Sequence, residues 1–361
     1  MNKGFMMLFV AALVFLPGCG FKDIDKRFLV VAIGVDQGVE KKYDVTLKLI
    51  IPTTLTEPGK SKYQLVSKEA DSISEALELM RSDVDKQLDL GHAKVTIFGK
   101  KLVQEDITKH IDWFIRRRGV QRIEYVAVAE SSAKEILALS QKSERLAGNS
   151  LILSFGREGT ESPFIITEYL YDFYERLLEK GKDPFMPIIR IRENTYEINR
   201  VALFDKKRLR LILEPQQTRI LNQLMYKHPR FEARVTEENL RYSLTVHKYN
   251  YRYKINTSNQ GRPSIDFVVN VKGTAEESEE IFFNRSWGEI EQAAERSIEK
   301  SYLELLNSMK KRQLDPLGFG LRYIATRHGG DKDWEEWRKL YPLVEFNVKV
   351  NVTLEGTGEI K

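Results

Sequence analysis

The chain of 361 residues contains one cysteine, Cys19. A single thiol excludes a disulfide framework, a zinc ribbon, an iron–sulfur cluster and a Cys-x-x-Cys redox pair, so packing alone has to hold the fold. Long apolar runs are equally scarce. Gly4–Leu16 is thirteen residues long, short of the roughly 20 that a hydrocarbon core of about 30 Å requires, and no later stretch approaches that length without a charge. Catalytic spacings are also missing: there is no Gly-x-Ser-x-Gly, His-Glu-x-x-His, Gly-x-x-x-x-Gly-Lys-Ser/Thr or Gly-x-Gly-x-x-Gly. The five histidines, His92, His110, His228, His247 and His328, never fall at i, i+4, and none lies near Cys19. These absences predict a chain that is not an enzyme and carries no resident metal or cofactor.

The charge excess, 57 − 52 = +5 with a pI near 8.9, is too small to argue for a nucleic-acid surface, and no nucleic-acid partner is expected. It suits contact with anionic lipid without demanding it. An apolar fraction of 42% beside 30% charge predicts a folded body.

Residues 1–18 read as an export signal. Lys3 supplies the basic start, Gly4–Leu16 the apolar region, and Leu16-Pro17-Gly18 leads directly to Cys19. That ending resembles the bacterial lipobox, in which the cysteine thiol takes a diacylglycerol thioether and the chain is cut before it. Pro17 stands where such signals usually have a small residue. Two or three acyl chains on one residue anchor stably where one chain would not. An ordinary secretory signal is the alternative.

Downstream, Phe28–Asp36 and Tyr43–Ile51 predict a hairpin, and residues 52–68 a surface loop. Ser72-x-x-Glu75 caps a helix with Ile73, Leu77, Met80, Val84 and Leu88 at its period. Lys94–Phe98 and Arg122–Ala129 read as strands, with a helix between them closing at Arg116-Arg117-Arg118-Gly119, and Ser132-x-x-Glu135 caps another. Ser162-Pro163 opens a predicted helix running to Gly181, followed by a strand at Ile188–Ile191. Strands are expected around 231–236, 240–248, 251–256 and 264–271. Ser286-x-x-Glu289 caps the longest helix, with Trp287, Ile290, Ala294, Ile298, Leu305 and Met309 on its apolar stripe, and Leu343–Leu354 closes as a strand. The expected organisation is α+β and multi-domain, with three domains of mixed sheets flanked by helices. The signal occupies 1–18, an N-terminal α/β domain 19–140, a middle domain or bridge 141–200, and a C-terminal α+β domain 201–361. The last has a mainly antiparallel sheet and a long helix over 287–312.

Taken in order, several short motifs resemble the C-subunit lipoproteins of bacterial spore-germination nutrient receptors, the Ger(x)C family. They are the lipobox Cys19, Ile33-Gly34-Val35-Asp36, Gly91-His92-Ala93-Lys94-Val95, the run Phe114–Arg118, and Val201-Ala202-Leu203-Phe204 with its basic turn. Asp315-Pro316-Leu317-Gly318-Phe319-Gly320, Trp337 with Tyr341-Pro342, and Gly356-Thr357-Gly358 complete the set. Gly20-Phe21 follows the cysteine where the family usually has an aromatic immediately. The resemblance implies three mixed α/β domains, lipid-anchored through Cys19 on the outer face of the spore inner membrane. It also implies two membrane-spanning partners, the receptor A and B subunits, and a role in germination triggered by small nutrients. A solute-binding lipoprotein of a transport system, with two similar α/β lobes around a cleft, is the alternative.

The remaining candidates have ordinary explanations beside functional ones. His92 reads as a turn imidazole bonding backbone carbonyls, or else a ligand contact; His110 reads as a packing residue. Gly318, Gly320, Gly329 and Gly330 beside Arg322, Arg327 and His328 read as turn glycines before they read as a phosphate cradle. The clusters Arg116–Arg118, Lys206–Arg208 and Lys310–Arg312 read as solvated helix or strand ends. Glu276, Glu277, Glu279 and Glu280 read as an acidic surface loop. Trp334 and Trp337 are expected in a core, with an interface anchor as the alternative.

Overall fold

A computed structural model describes residues 26–51, 63–141, 149–156, 162–226, 230–237, 240–257, 262–278 and 285–356. The expected signal at 1–18 and Cys19 lie outside these residues. So do His228, Glu279, Glu280 and the last two residues of Gly356-Thr357-Gly358.

The N-terminal part is built on β1 (Arg27–Gln37) and β2 (Tyr43–Ile50), which form the expected antiparallel hairpin. β3 (Tyr63–Ala70) adds to β2, so the last six residues of the stretch read as loop belong to an edge strand. α1 (Ile73–Met80) begins at the Ser72 cap, whose hydroxyl accepts from the Glu75 N–H. It stops at Met80, earlier than its pattern predicts, because Leu88 is taken into β4 (Gln87–Asp89), which pairs with the start of β1. β5 (Val95–Gly99), α2 (Lys100–Val103), α3 (Thr108–Arg116), β6 (Tyr125–Ala129) and α4 (Ala133–Ala138) follow. After α5 (Asn149–Phe155), α6 runs only from Leu170 to Leu178. The helix expected from Ser162 starts late for a visible reason. Val126 N–H donates to Glu168 O at 3.0 Å and Leu170 N–H to Glu124 O at 2.9 Å, so this segment lies against β6 and spends its backbone groups there.

β7 (Phe185–Arg192), β8 (Thr195–Phe204) and β9 (Leu209–Leu213) complete a sheet of nine strands in the order β3-β2-β1-β5-β6-β7-β8-β9, with β4 beside β1. β1, β5, β6 and β7 pair in parallel at its centre. Their buried residues are nearly continuous, as expected of strands covered on both faces. Ile73, Ile111, Phe114 and Phe173 from α1, α3 and α6 cover one face, and Ile136, Leu151 and Phe155 from α4 and α5 the other. The boundary expected between residues 200 and 201 falls inside β8.

α7 (Pro215–Tyr226) leads to a second sheet of β10 (Phe231–Glu237), β11 (Leu240–Asn256), β12 (Ser264–Ser278) and β13 (Glu345–Gly356), in that order. The first three pair antiparallel and β12–β13 parallel. The two strands expected over 240–256 are one, with a register shift between Val246 and Lys248. Glu276 and Glu277 belong to β12 and not to a loop. β10 and β13 alternate buried and exposed residues, the mark of a sheet with one face in the core. α8 (Trp287–Lys311) covers that face with Ile290, Ala294, Ile298, Leu305 and Met309, and its Ser286–Glu289 capping box is complete. Trp287 does not join the stripe and is half exposed. α9 (Phe319–Ala325) and α10 (Asp331–Leu340) close the chain before β13. The architecture is mixed α+β, as expected, with two sheets flanked by helices.

Candidate functional site

The motifs singled out in the sequence gather in three places. Ile33-Gly34-Val35-Asp36 fixes α4. Asp36 Oδ1 and Oδ2 accept from the N–H groups of Ala133 and Lys134 at 2.8 and 3.0 Å. Gly34 lets that helix close on β1, since a Cβ there would stand 3.1 Å from Ala133 Cβ. The second place is the edge where the parallel strands begin. There Gln121 Nε2 donates to Gly91 O at 2.6 Å and Lys94 Nζ to Gln121 Oε1 at 2.8 Å, tying Gly91–Lys94 to the segment after Phe114–Arg118. His92 is exposed, with Nδ1 3.9 Å from Asp89 Oδ2, so it faces a carboxylate and not the backbone carbonyl expected.

The third place is the seam between the two sheets, and most of the motif residues converge on it. Asp315 sits in the turn before α9. Its Oδ1 accepts from the Phe319 N–H at 3.0 Å and Oδ2 from the Gly320 N–H at 2.7 Å, which satisfies two of the donors a helix start leaves open. The chain can turn there because Gly318 takes φ +75°. From the other side, Asp183 N–H donates to Asp315 O at 2.8 Å and Asp183 Oδ2 accepts from the Asp315 N–H at 2.7 Å. Leu321 N–H donates to Gly181 O at 2.9 Å. Gly181 and Gly320 stand so close that a Cβ on Gly320 would lie 2.8 Å from Gly181 Cα and 2.6 Å from Trp337 Nε1.

Lys206, from the basic turn after β8, does not face solvent as a strand-end charge. Its ammonium donates to Arg176 O at 2.5 Å, to Glu179 O at 2.8 Å and to Lys182 O, and lies 3.5 Å from Asp183 Oδ1. It therefore closes the C-terminal end of α6. Arg176 reaches the same seam, donating to Pro316 O at 3.0 Å while Nε pairs with buried Glu168 at 2.9 Å. Trp337 is buried against Tyr323 and Tyr341, and Tyr341 OH donates to Leu314 O at 2.7 Å. Trp337 thus takes the core role expected of it.

Burial sets the electrostatics. It pushes the Asp315 carboxyl up to about 7 against the pull of its backbone donors. It raises Asp183 too, with Lys206 opposing, and it holds the Lys206 ammonium below its usual range, with Asp183 pulling it back. A cleft of about 520 Å³ opens beside these groups, lined by Asp183, Lys206, Asp315, Trp334, Trp337 and Tyr341. Both Asp315 oxygens are occupied by backbone donors, so the arrangement offers a rigid polar joint and no nucleophile beside a base.

A larger cavity of about 1010 Å³ lies at the β10–β11 edge, lined by Phe164, Arg230, Arg234, Arg241, Tyr242 and His247 among others. Sequence reasoning missed it, because its residues come from strands and from the stretch read as a helix at 162–169. His110 is buried, with Nδ1 3.0 Å from Tyr43 OH. Among the described residues no three His, Cys, Asp or Glu side chains are grouped to hold a metal ion, and no helix is long and apolar enough to cross a membrane.

Comparison with known proteins agrees with this geometry. Residues 20–191 match the Spore germination protein N-terminal domain, and residues 199–358 the Spore germination B3/GerAC like, C-terminal domain. The junction between the two matches falls within the β7–β8 hairpin. The chain is 22% identical to spore germination protein GerQC of Bacillus cereus, covering 98% of each. It is also 22% identical to spore germination protein KC of Bacillus subtilis (strain 168), covering 98% of this chain and 95% of that protein. The crystal structure of the GerBC protein superimposes with a TM-score of 0.58 at 14% identity, over 90% of this chain and 96% of that one, which shows a shared fold. With both domains matched in order along nearly the whole chain, the protein belongs to the spore germination GerAC-like family, the C subunits of germinant receptors.

Proposed function

We propose that this chain is the lipid-anchored C subunit of a nutrient germinant receptor, needed for spores to germinate in response to small nutrients. It has no catalytic role of its own. Cleavage before Cys19 and acylation of its thiol anchor the chain on the outer face of the spore inner membrane, and its surfaces contact the two membrane-spanning subunits, A and B. The observation that carries this reading is the match of both germination domains in order along the chain. The export signal ending at the only cysteine supports the anchor. The transport alternative expects two similar lobes, whereas the two sheets here differ in strand number, order and direction.

The test is fractionation of spores carrying wild type or Cys19→Ala, with the mass of the protein and the nutrient response read together. Wild type is expected acylated in the inner-membrane fraction, and the variant lost from it with weakened germination. If both versions are found free of the membrane, or if germination is untouched while nutrient uptake falls, the reading fails.

A further inference from the structure

At the first described residues of the chain, β1 begins beside a cavity of about 270 Å³ lined by Arg27, Arg81, Asp89, Arg117 and Arg118 among others. Four arginines from three separate places converge there: Arg27 at the start of β1, Arg81 at the end of α1, and Arg117 and Arg118 at the two positions after α3. Asp89 is the only acidic residue in the lining, and it is paired to Arg27 at 2.8 Å. Among the described residues Arg81 and Arg118 have no carboxylate partner, and Arg117 lies over the Trp113 ring at 5.8 Å.

We infer that this cavity is a binding site for the phosphate of anionic phospholipid headgroups, and that it docks the body of the protein onto the membrane beside its anchor. The bland explanation, that cations complement helix C-termini, accounts for Arg81 and Arg117, which cap α1 and α3. It does not account for Arg27 or Arg118. A guanidinium is the side chain best matched to phosphate oxygens, which it can grip with two parallel N–H groups.

The position of the cavity chooses the source of the phosphate. Arg27 stands eight positions after Cys19, a span of at most about 29 Å when fully extended. An acylated Cys19 therefore keeps the start of β1, and Arg27 with it, within that distance of the bilayer. Beyond Arg118 the chain continues to exposed Arg122 and to Ile123, which is 70% exposed. The Tyr171 N–H donates to Arg122 O at 2.9 Å, bringing a half-exposed aromatic to the same edge. Cations beside apolar and aromatic side chains suit the interfacial zone of a bilayer.

The inference rests on the anchored reading above, and the experiment separates the two. The acylated full-length chain carrying His92→Cys is labelled at the new thiol with a polarity-sensitive fluorophore, since Cys19 is consumed by its thioether. It is then reconstituted in phosphatidylcholine vesicles or in an equimolar mixture with phosphatidylglycerol. Mass spectrometry of the same sample reads the anchor, and the label reads the cavity. Docking is expected as a fluorescence change only with phosphatidylglycerol, weakened by salt. Arg81→Gln and Arg118→Gln are each expected to lower the ratio of docked to undocked chain by about fivefold, and Arg81→Glu with Arg118→Glu to abolish the change. Both side chains are exposed, so thermal melts unchanged from the parent keep the comparison clean. The inference is overturned if an acylated sample responds equally in both vesicles, or if the charge-reversed chain responds like the parent. It is also overturned if inorganic phosphate, at matched ionic strength, displaces the label response where chloride does not, because the site would then take free phosphate. A sample lacking the acyl mass sinks the anchored reading instead, whatever the label shows.

Discussion

Asp183 and Asp315, 132 residues apart, are joined by two hydrogen bonds that close a ring: each backbone N–H is accepted by the other residue, one by a carbonyl and one by a carboxylate. The ring sits where the nine-stranded sheet meets the turn before α9. The remaining Asp183 oxygen faces Lys206, whose ammonium also closes the end of α6. Helix end, turn and strand connection are therefore held by one small polar group beside the apolar contacts of Phe185, Leu314 and Phe319.

Asp183→Ala removes an acceptor from a buried N–H and a counter-charge from a largely buried ammonium, and is expected to cost about 2–4 kcal/mol. Lys206→Ala leaves three carbonyls unsatisfied and is expected to cost a similar amount. Because the two side chains share the site, the double variant should lose less than the sum, with a coupling of about 1–3 kcal/mol. Urea denaturation of the four proteins measures it, and strict additivity would remove the claim that the seam acts as a unit.

Gly320→Ala tests the close approach of the two parts. A methyl group at this position meets the Trp337 ring and the backbone of Gly181, neither of which is a flexible chain end. Overpacking of this kind costs about 1–3 kcal/mol, even though alanine is otherwise the better helix former. An unchanged midpoint in denaturant would show that the seam can open without loss.

Much of the scaffold is legible in the sequence because local signals and tertiary packing agree. Ser72, Ser132 and Ser286 each accept from the N–H three residues on, as their spacing predicts. Where the two conflict, the sequence misleads. Ile165, Ile166, Tyr169 and Leu170 fit a helical period, but the backbone of 168–170 is claimed by β6, and no local pattern reports that. The seam is half legible: Asp315–Gly320 stands out as a turn, and Trp337 as a core aromatic. Lys206, grouped with two solvated neighbours, gives no sign that it closes a helix 27 residues upstream. The arginine cavity is hidden for the same reason, since Arg27, Arg81 and Arg118 meet only through the parallel order of β1, β4 and β5.

His110 predicts acid sensitivity. Burial is the main cause that drives its pKa from 6.5 down to about 4, with Lys42 adding to the effect. Between those values the unfolded chain binds the proton and the folded one does not, so stability falls as pH drops through this window. His110→Gln, which cannot titrate, should flatten that fall. The check is the pH dependence of the denaturation midpoint between pH 6.5 and pH 4 in both proteins.

Glu124 predicts the opposite slope on the neutral side. Its side chain is fully buried, Oε1 accepts from Thr96 Oγ1 at 2.8 Å, and Oε2 has no partner among the described residues. Burial pushes its pKa from 4.5 up to about 8, with the Thr96 bond opposing. A raised carboxyl holds its proton in the folded state and loses it in the unfolded state, so stability declines as pH rises from 4.5 toward 8. By pH 7 the decline from this group is on the order of 3 kcal/mol. Glu168 and Asp315, also raised by burial, add to the same trend, Glu168 with Arg176 pulling against it. Glu124→Gln keeps the shape and removes the charge, so it should match wild type near pH 5 and exceed it at pH 8. Paired melts at the two pH values decide the matter: an equal gap at both would mean that Glu124 does not titrate in this range.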